Sequence, residues 1–209
     1  MRTIGVIGGM GPAAAADFYA RVVATHGALC DQDHPPCIMY SATQVPDRTA
    51  FLLENGADPT PELVASANLV ETAGADFIAI PCNSAHAFLA PMRAAVSIPI
   101  LDMIALVSAE VARLVPQARF VGFLAASVSV KIGLYDKALK THGLVPLYPD
   151  SEVQDEVMAA IKDVKAGGAS EISDPRLIAA AKHLCDKGAC LLYTSDAADE
   201  RSSVDLGGR

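Results

Sequence analysis

The chain has 209 residues, 52% of them hydrophobic and 19% charged, which suits one large domain or two small ones and excludes a disordered, solvating polypeptide. Sixteen Lys and Arg face twenty-four Asp and Glu, and the resulting charge of −8 repels phosphate backbones and anionic lipid, so no nucleic-acid or membrane partner is expected. Five cysteines, an odd number scattered along the chain, fit a reducing, cytoplasmic setting better than a disulfide framework.

Residues 3–7 read as a strand that closes on Gly8-Gly9-Met10-Gly11-Pro12, with Pro12 at the first position of a helix. The stretch from Arg2 to Ala16 has the outline of a secretory signal, but its glycines and Pro12 interrupt it, and strand, turn and helix describe it better. Cys30, His34 and Cys37 lack the paired short spacing of structural zinc sites, as do Cys185 and Cys190, so these read as small packing residues and no metal is expected. A second strand, residues 38–41, runs into Val45-Pro46-Asp47-Arg48-Thr49, and Thr60-Pro61 then opens a helix with Thr60 as its cap. Residues 77–80 form a strand that delivers Pro81-Cys82-Asn83-Ser84-Ala85-His86. Further strands are expected at residues 98–101, 120–124 and 144–147, Ser151 with Gln154 reads as a capping box, and Asp174-Pro175 opens the last helix. The longest apolar run, residues 120–130, falls far short of the about 20 residues that span a bilayer. Continuous apolar strands alternating with alanine-rich helices specify an α/β fold with parallel sheets covered on both faces.

The sequence also repeats itself. Residues 3–8 match residues 117–122, and Gly74-Ala75 before one strand matches Gly188-Ala189 before another, both at a spacing of 114 (122 against 8, 188 against 74). A duplication would divide the chain into residues 1–102 and residues 103–193, with a tail at 194–209, and would place two sets of strand ends on one cleft, where α/β proteins bind ligands. At the same spacing Lys162 is the counterpart of Arg48 and Asp196 that of Cys82.

Three segments carry candidate chemistry. Gly8-Gly9-Met10-Gly11-Pro12 lets backbone N–H groups approach an anion; it also fits a dinucleotide G-x-G-x-x-A, but the next strand ends in Ala42 and Thr43 instead of an acid, and no Gly-Lys-Ser/Thr follows. Cys82 emerges from a strand just before a helix begun by Asn83 or Ser84, a location that favours the thiolate. His86 reads as a structural hydrogen-bonder or, alternatively, as the group that orients that thiolate. Arg48 offers a bidentate clamp for a carboxylate, or an ion pair with Asp47 or Glu54.

Together with Gly122-x-Leu124-Ala125, Tyr135 and residues 161–167, these motifs resemble the aspartate/glutamate racemase family over about residues 1 to 190. The resemblance implies two pseudo-symmetric α/β domains with the active site between them, acting on a free acidic amino acid without pyridoxal phosphate or metal, and commonly as a homodimer. It implies Cys82 as a catalytic thiol, Met10, Gly11, Asn83 and Ser84 as substrate contacts, with Ser84 where threonine is usual, and Arg48 and Lys165 as carboxylate partners. Inverting a Cα centre requires acid/base groups on both faces. The family's second thiol falls at position 196, where this chain has Asp196, a much weaker base than a thiolate at neutral pH. From Leu192 onward the sequence loses its apolar periodicity and looks like translated adapter sequence on a truncated gene. A dicarboxylate binder without catalysis, or a single-cysteine relative resembling arylmalonate decarboxylases or maleate isomerases, is the alternative expectation.

Overall fold

A computed structural model describes residues 1–166 and 175–194. Strand β1 (Ile4–Gly8) is buried along its whole length, as a parallel strand covered on both faces must be. Strands β2 (Cys37–Ser41) and β3 (Phe77–Ala79) flank it in the parallel order β2-β1-β3, with Gly5 opposite both Ile38 and Ile78. Around this sheet lie α1 (Pro12–Thr25), α2 (Arg48–Glu54), α3 (Thr60–Thr72) and α4 (Leu89–Ala95). Asp102 then caps α5 (Met103–Leu114) by accepting the Ala105 N–H at 3.0 Å, and the pattern repeats. Strand β4 (Phe120–Leu124) is the centre of a second parallel sheet ordered β5-β4-β6, with β5 (Val145–Leu147) and β6 (Leu191–Thr194). Its helices are α6 (Ser127–Lys131), α7 (Asp136–Thr141), α8 (Ser151–Lys165) and α9 (Pro175–Asp186). The fold is therefore α/β with two similar halves, as expected. No helix among the described residues is long and apolar enough to cross a membrane.

Each half has its own core: Ile7, Leu63, Val70, Ile78 and Met92 in the first, Val121, Phe123, Tyr135 and Leu139 in the second. A third cluster around Val128, Val157 and Leu184 receives Leu52 of α2, so the halves share apolar contact.

The two halves share one strand order, but their first strands align differently from the sequence match. Gly5 and Gly122 are the equivalent residues, 117 apart: Gly5 faces Ile78 and Gly122 faces Leu192, and a Cβ on either would press on the Ala75 or Ala189 Cβ at 2.8 and 3.1 Å. The spacing of 114 holds for the helix-turn-strand unit that carries those alanines. On the other side of the sheet, Ile38 and Leu147 share that register position, 109 apart, so Lys162 is not the structural counterpart of Arg48.

Other local expectations are also corrected. Residues 98–101 do not form a strand; only Ile100 bridges Ile78, because Pro99 has no N–H to donate and the Glu71 carboxylate takes the N–H groups of Ser97 (2.8 Å) and Ile98 (3.2 Å). Thr60 is not a cap; the Asp58 carboxylate accepts its N–H at 2.8 Å, and Pro61 occupies the second helical position, where no N–H is needed. Ser151 and Gln154 form no capping box. Asp150 precedes α8, and the buried Gln154 amide instead donates to the Ala125 carbonyl (2.8 Å) and the Ser127 hydroxyl (3.2 Å), which ties α8 to the loop after β4. Of the stretch read as adapter, residues 192–194 complete β6, and Asp196 lies outside the described residues.

Gly5→Ala should destabilise the protein by about 1–3 kcal/mol in urea unfolding, since the added methyl meets a fixed Cβ. Combining it with Ala75→Gly should recover part of that loss, which no independent pair of substitutions does. The Glu71 carboxylate is held below its ordinary range, first by the Ser97 hydroxyl at 2.6 Å. A depressed folded-state pKa stabilises fully above the unfolded carboxylate range and ceases to do so as pH falls through the lower folded value. Unfolding midpoints of wild type and Glu71→Gln should therefore differ at pH 7 and converge in acid.

Candidate active site

Three turns at the carboxyl ends of β1, β2 and β3 carry the candidate residues, and the strand order places β1's turn between the other two. The first turn is tight: a Cβ on Gly8 would overlap Ala15, and Gly9 adopts φ +86 where a Cβ would lie 2.5 Å from the Ala42 nitrogen. Gly11 then caps α1, and the Met10 side chain is buried.

Arg48 opens α2. Asp47 spends its carboxylate on the Ala50 N–H at 2.8 Å, so the pair Asp47–Arg48 does not form, and no acid among the described residues binds Arg48. Yet the guanidinium is only 7% exposed. It donates to the carbonyls of Pro46 (2.9 Å), Val45 (3.2 Å) and Met10 (3.5 Å), and its buried Nε has no partner among the described residues. Buried cations are ordinarily paired with an acid, whereas among the described residues this one meets carbonyl oxygens.

Cys82 follows β3, is 6% exposed, and packs in the same apolar cluster as Met10 and Val45, two of the residues whose carbonyls hold Arg48. Its Sγ lies 3.6 Å from the Ser84 hydroxyl. The expected helix is a five-residue 3₁₀ turn, Ser84–Phe88, followed by α4, because Pro91 cannot donate into a continuous α-helix. A five-residue 3₁₀ turn does not supply the helix macrodipole expected beside the thiol. Phe88 of this turn stacks on Phe51 of α2, with centroids 5.8 Å apart, which fixes the Cys82 and Arg48 segments against one another.

His86 is structural. Its Nδ1 lies 2.8 Å from the Cys82 carbonyl, and burial, foremost, holds its pKa below the ordinary value, so a neutral ring donates that N–H to the carbonyl. It braces the turn and does not touch the thiol. Asn83, 2% exposed, accepts at Oδ1 the hydroxyl hydrogen of Tyr135, a residue 1% exposed in the second half's core. Sequence reading missed this pairing, since nothing local links residues 52 positions apart. Lys165 ends α8 with an exposed side chain whose Cγ comes within 3.7 Å of a Cβ position on Gly11, so the second half brings a cation to the first turn. Met10, Gly11, Arg48, Cys82, Asn83 and Ser84 thus share one end of the first sheet, joined by Tyr135 and Lys165. A cavity of about 510 Å³ between α8 and α9, lined by Glu152, Glu156 and Arg176, includes none of them.

A thiol, a buried cation and a buried amide thus lie at the strand ends of the first half of a two-part α/β fold. The chain belongs to the Asp/Glu/Hydantoin racemase family, whose profile matches residues 7–191. It is 28% identical over 168 residues, 76% of this chain and 70% of the relative, to the broad specificity amino-acid racemase RacX of Bacillus subtilis (strain 168). Its fold is similar to that of the Picrophilus torridus aspartate racemase, with a TM-score of 0.80 at 24% identity over 95% of this chain and 82% of that one. An aspartate racemase homologue from Pyrococcus horikoshii OT3 has the same fold, with a TM-score of 0.73 at 23% identity over 96% and 89% of the two chains.

If Arg48 awaits a carboxylate, succinate at about a hundredfold excess over its Kd should raise the unfolding free energy by about 2.7 kcal/mol. Arg48→Met, which keeps the bulk and removes the charge, should show no such rise in thermal unfolding with and without succinate.

Proposed function

We propose that this chain is built to racemise a free acidic amino acid, aspartate or glutamate, without an organic cofactor or metal. The observation that carries the substrate class is Arg48, a buried cation with no acid partner among the described residues, packed beside the cluster that holds Cys82. A carboxylate docked on the guanidinium neutralises it, and Lys165 at the adjacent turn suits a second carboxylate. The Cys82 thiolate takes the proton from Cα on one face; the electron pair left behind delocalises into the neighbouring carboxylate, which positive charge stabilises. A proton delivered to the opposite face completes inversion. That second acid belongs to position 196, where Asp196 stands in place of the family's cysteine. Lacking that thiol, the chain should exchange the Cα hydrogen on the Cys82 face faster than it inverts the centre.

This predicts that L- or D-aspartate incubated in heavy water gains Cα deuterium by NMR faster than polarimetry detects racemisation. Cys82→Ala should reduce exchange by at least about a hundredfold. Equal exchange in the two proteins would remove Cys82 from the mechanism. The second reading, a dicarboxylate binder without turnover, is favoured specifically by Asp196, and calorimetric binding of aspartate with no deuterium entering Cα would select it.

A further inference from the structure

We propose that His86 is a positioning residue for Cys82: by donating from Nδ1 to the Cys82 carbonyl it fixes the peptide that follows the thiol, and so sets the direction in which the side chain leaves the backbone. The inference rests on the racemase reading above and adds the group that aims its base. A residue has two soft backbone dihedrals, one on each side of Cα, so pinning both flanking peptide planes fixes the Cα–Cβ direction and leaves the sulfur only its rotation about χ1. At Cys82 the preceding plane is pinned by its N–H, which donates to the Ile80 carbonyl at 2.8 Å. The following plane is pinned by His86, whose Nδ1 lies 2.8 Å from the Cys82 carbonyl.

The 3₁₀ turn gives the histidine this task. In an α-helix the His86 N–H would bond the carbonyl of Cys82, one full turn back. Here it donates to the Asn83 carbonyl at 2.9 Å, and the side chain of the same residue reaches the Cys82 carbonyl instead. His86 is 6% exposed, so solvent does not take over the bond. A neutral imidazole carries one N–H, and facing a carbonyl, which only accepts, it places that proton on Nδ1. Nε2 is buried and has no hydrogen-bond partner among the described residues, so the ring acts on the turn through Nδ1. Arg48, by contrast, is held by the carbonyls of Met10, Val45 and Pro46, on the turns after β1 and before α2. Loss of the His86 bond should therefore misdirect the thiol and spare the carboxylate site.

The test compares the full chain with His86→Asn, His86→Gln and His86→Leu. An asparagine amide nitrogen can stand where Nδ1 stands and a glutamine amide nitrogen where Nε2 stands, so the first restores a donor to the Cys82 carbonyl and the second does not. In the heavy-water exchange assay at varied aspartate, His86→Gln and His86→Leu should lower kcat about tenfold with KM changed less than about twofold, while His86→Asn stays within about threefold of wild type. Alkylation of Cys82 by iodoacetamide, followed on its own peptide by mass spectrometry, should depart from the wild-type rate in His86→Gln and His86→Leu and return toward it in His86→Asn. Equal kcat in the Asn and Gln variants, a loss confined to KM, or a kcat that follows the urea unfolding midpoint whatever the donor each overturn the proposal and leave the racemase reading standing. In wild-type protein labelled with ¹⁵N-histidine, the His86 ring, assigned by through-bond correlation, should carry its proton on Nδ1; a proton on Nε2 overturns the proposal even where a variant fails to fold. Absence of exchange in the wild-type chain overturns the racemase reading, and the alkylation series and the ring tautomer then still decide whether His86 positions Cys82.

Discussion

The organisation of the first half turns on one buried positive charge. Arg48 is held in place by carbonyls from two different turns, Met10 after β1 and Val45 and Pro46 before α2, so the guanidinium splices the ends of β1 and β2 together. Carbonyl dipoles soften the desolvation of a cation but do not cancel its charge, and a buried ion without a counter-ion is held only where the surrounding fold over-determines it. Here the surrounding fold does so: Asp47, the nearest acid in sequence, is committed to capping α2, and the glycine turn lets the Met10 carbonyl come close to the guanidinium. Cys82 lies in one apolar cluster with Met10 and Val45, two of the residues whose carbonyls hold the guanidinium.

The second half completes this end of the sheet without duplicating it. Leu52 of α2 is shared with the cluster around Val128, Tyr135 reaches Asn83, and the end of α8 meets Gly11. Three separate contacts, one apolar, one hydrogen-bonded and one involving a long aliphatic stem, fall on α2, on the turn after β3 and on the turn after β1. Relative motion of the halves would therefore disturb all three segments together, which couples docking of the halves to the shape of the candidate site.

Much of this was legible in the sequence because it is local. Apolar runs of four or five residues ending in glycine or proline identify the strands, and Pro12 marks the start of α1 with no tertiary information. The turn motifs were equally readable, since glycine, cysteine and arginine at strand ends each carry a chemical reason to be there. What escaped was what the chain decides at a distance. Glu71 captures the amides of Ser97 and Ile98 from another helix and, with Pro99, reduces an expected strand to a single bridge. Gln154 looks like a capping residue until burial turns its amide toward Ala125. The repeat was visible, but a glycine match put Gly8 where Gly5 belongs, because pattern matching cannot see that Ala75 and Ala189 demand the missing Cβ.

The strand-end turns of the two halves differ in what they hold. After β1 the chain reads Gly9-Met10-Gly11, and the Met10 carbonyl accepts from Arg48; after β4 it reads Ala125-Ala126-Ser127, and the Ala125 carbonyl, which aligns with that of Gly8, accepts from the neutral amide of Gln154. The Ser127 N–H is taken by the Met158 sulfur at 3.1 Å, again a neutral partner. The strand-end turn of the first half meets a cation, and that of the second half meets an amide and a thioether. Among the described residues the first half thus holds a buried charge on carbonyl oxygens and the second uses neutral partners, with the Tyr135 hydroxyl reaching Asn83 of the opposing turn. The side chains at the two sets of strand ends therefore make the halves chemically distinct even though they share one strand order.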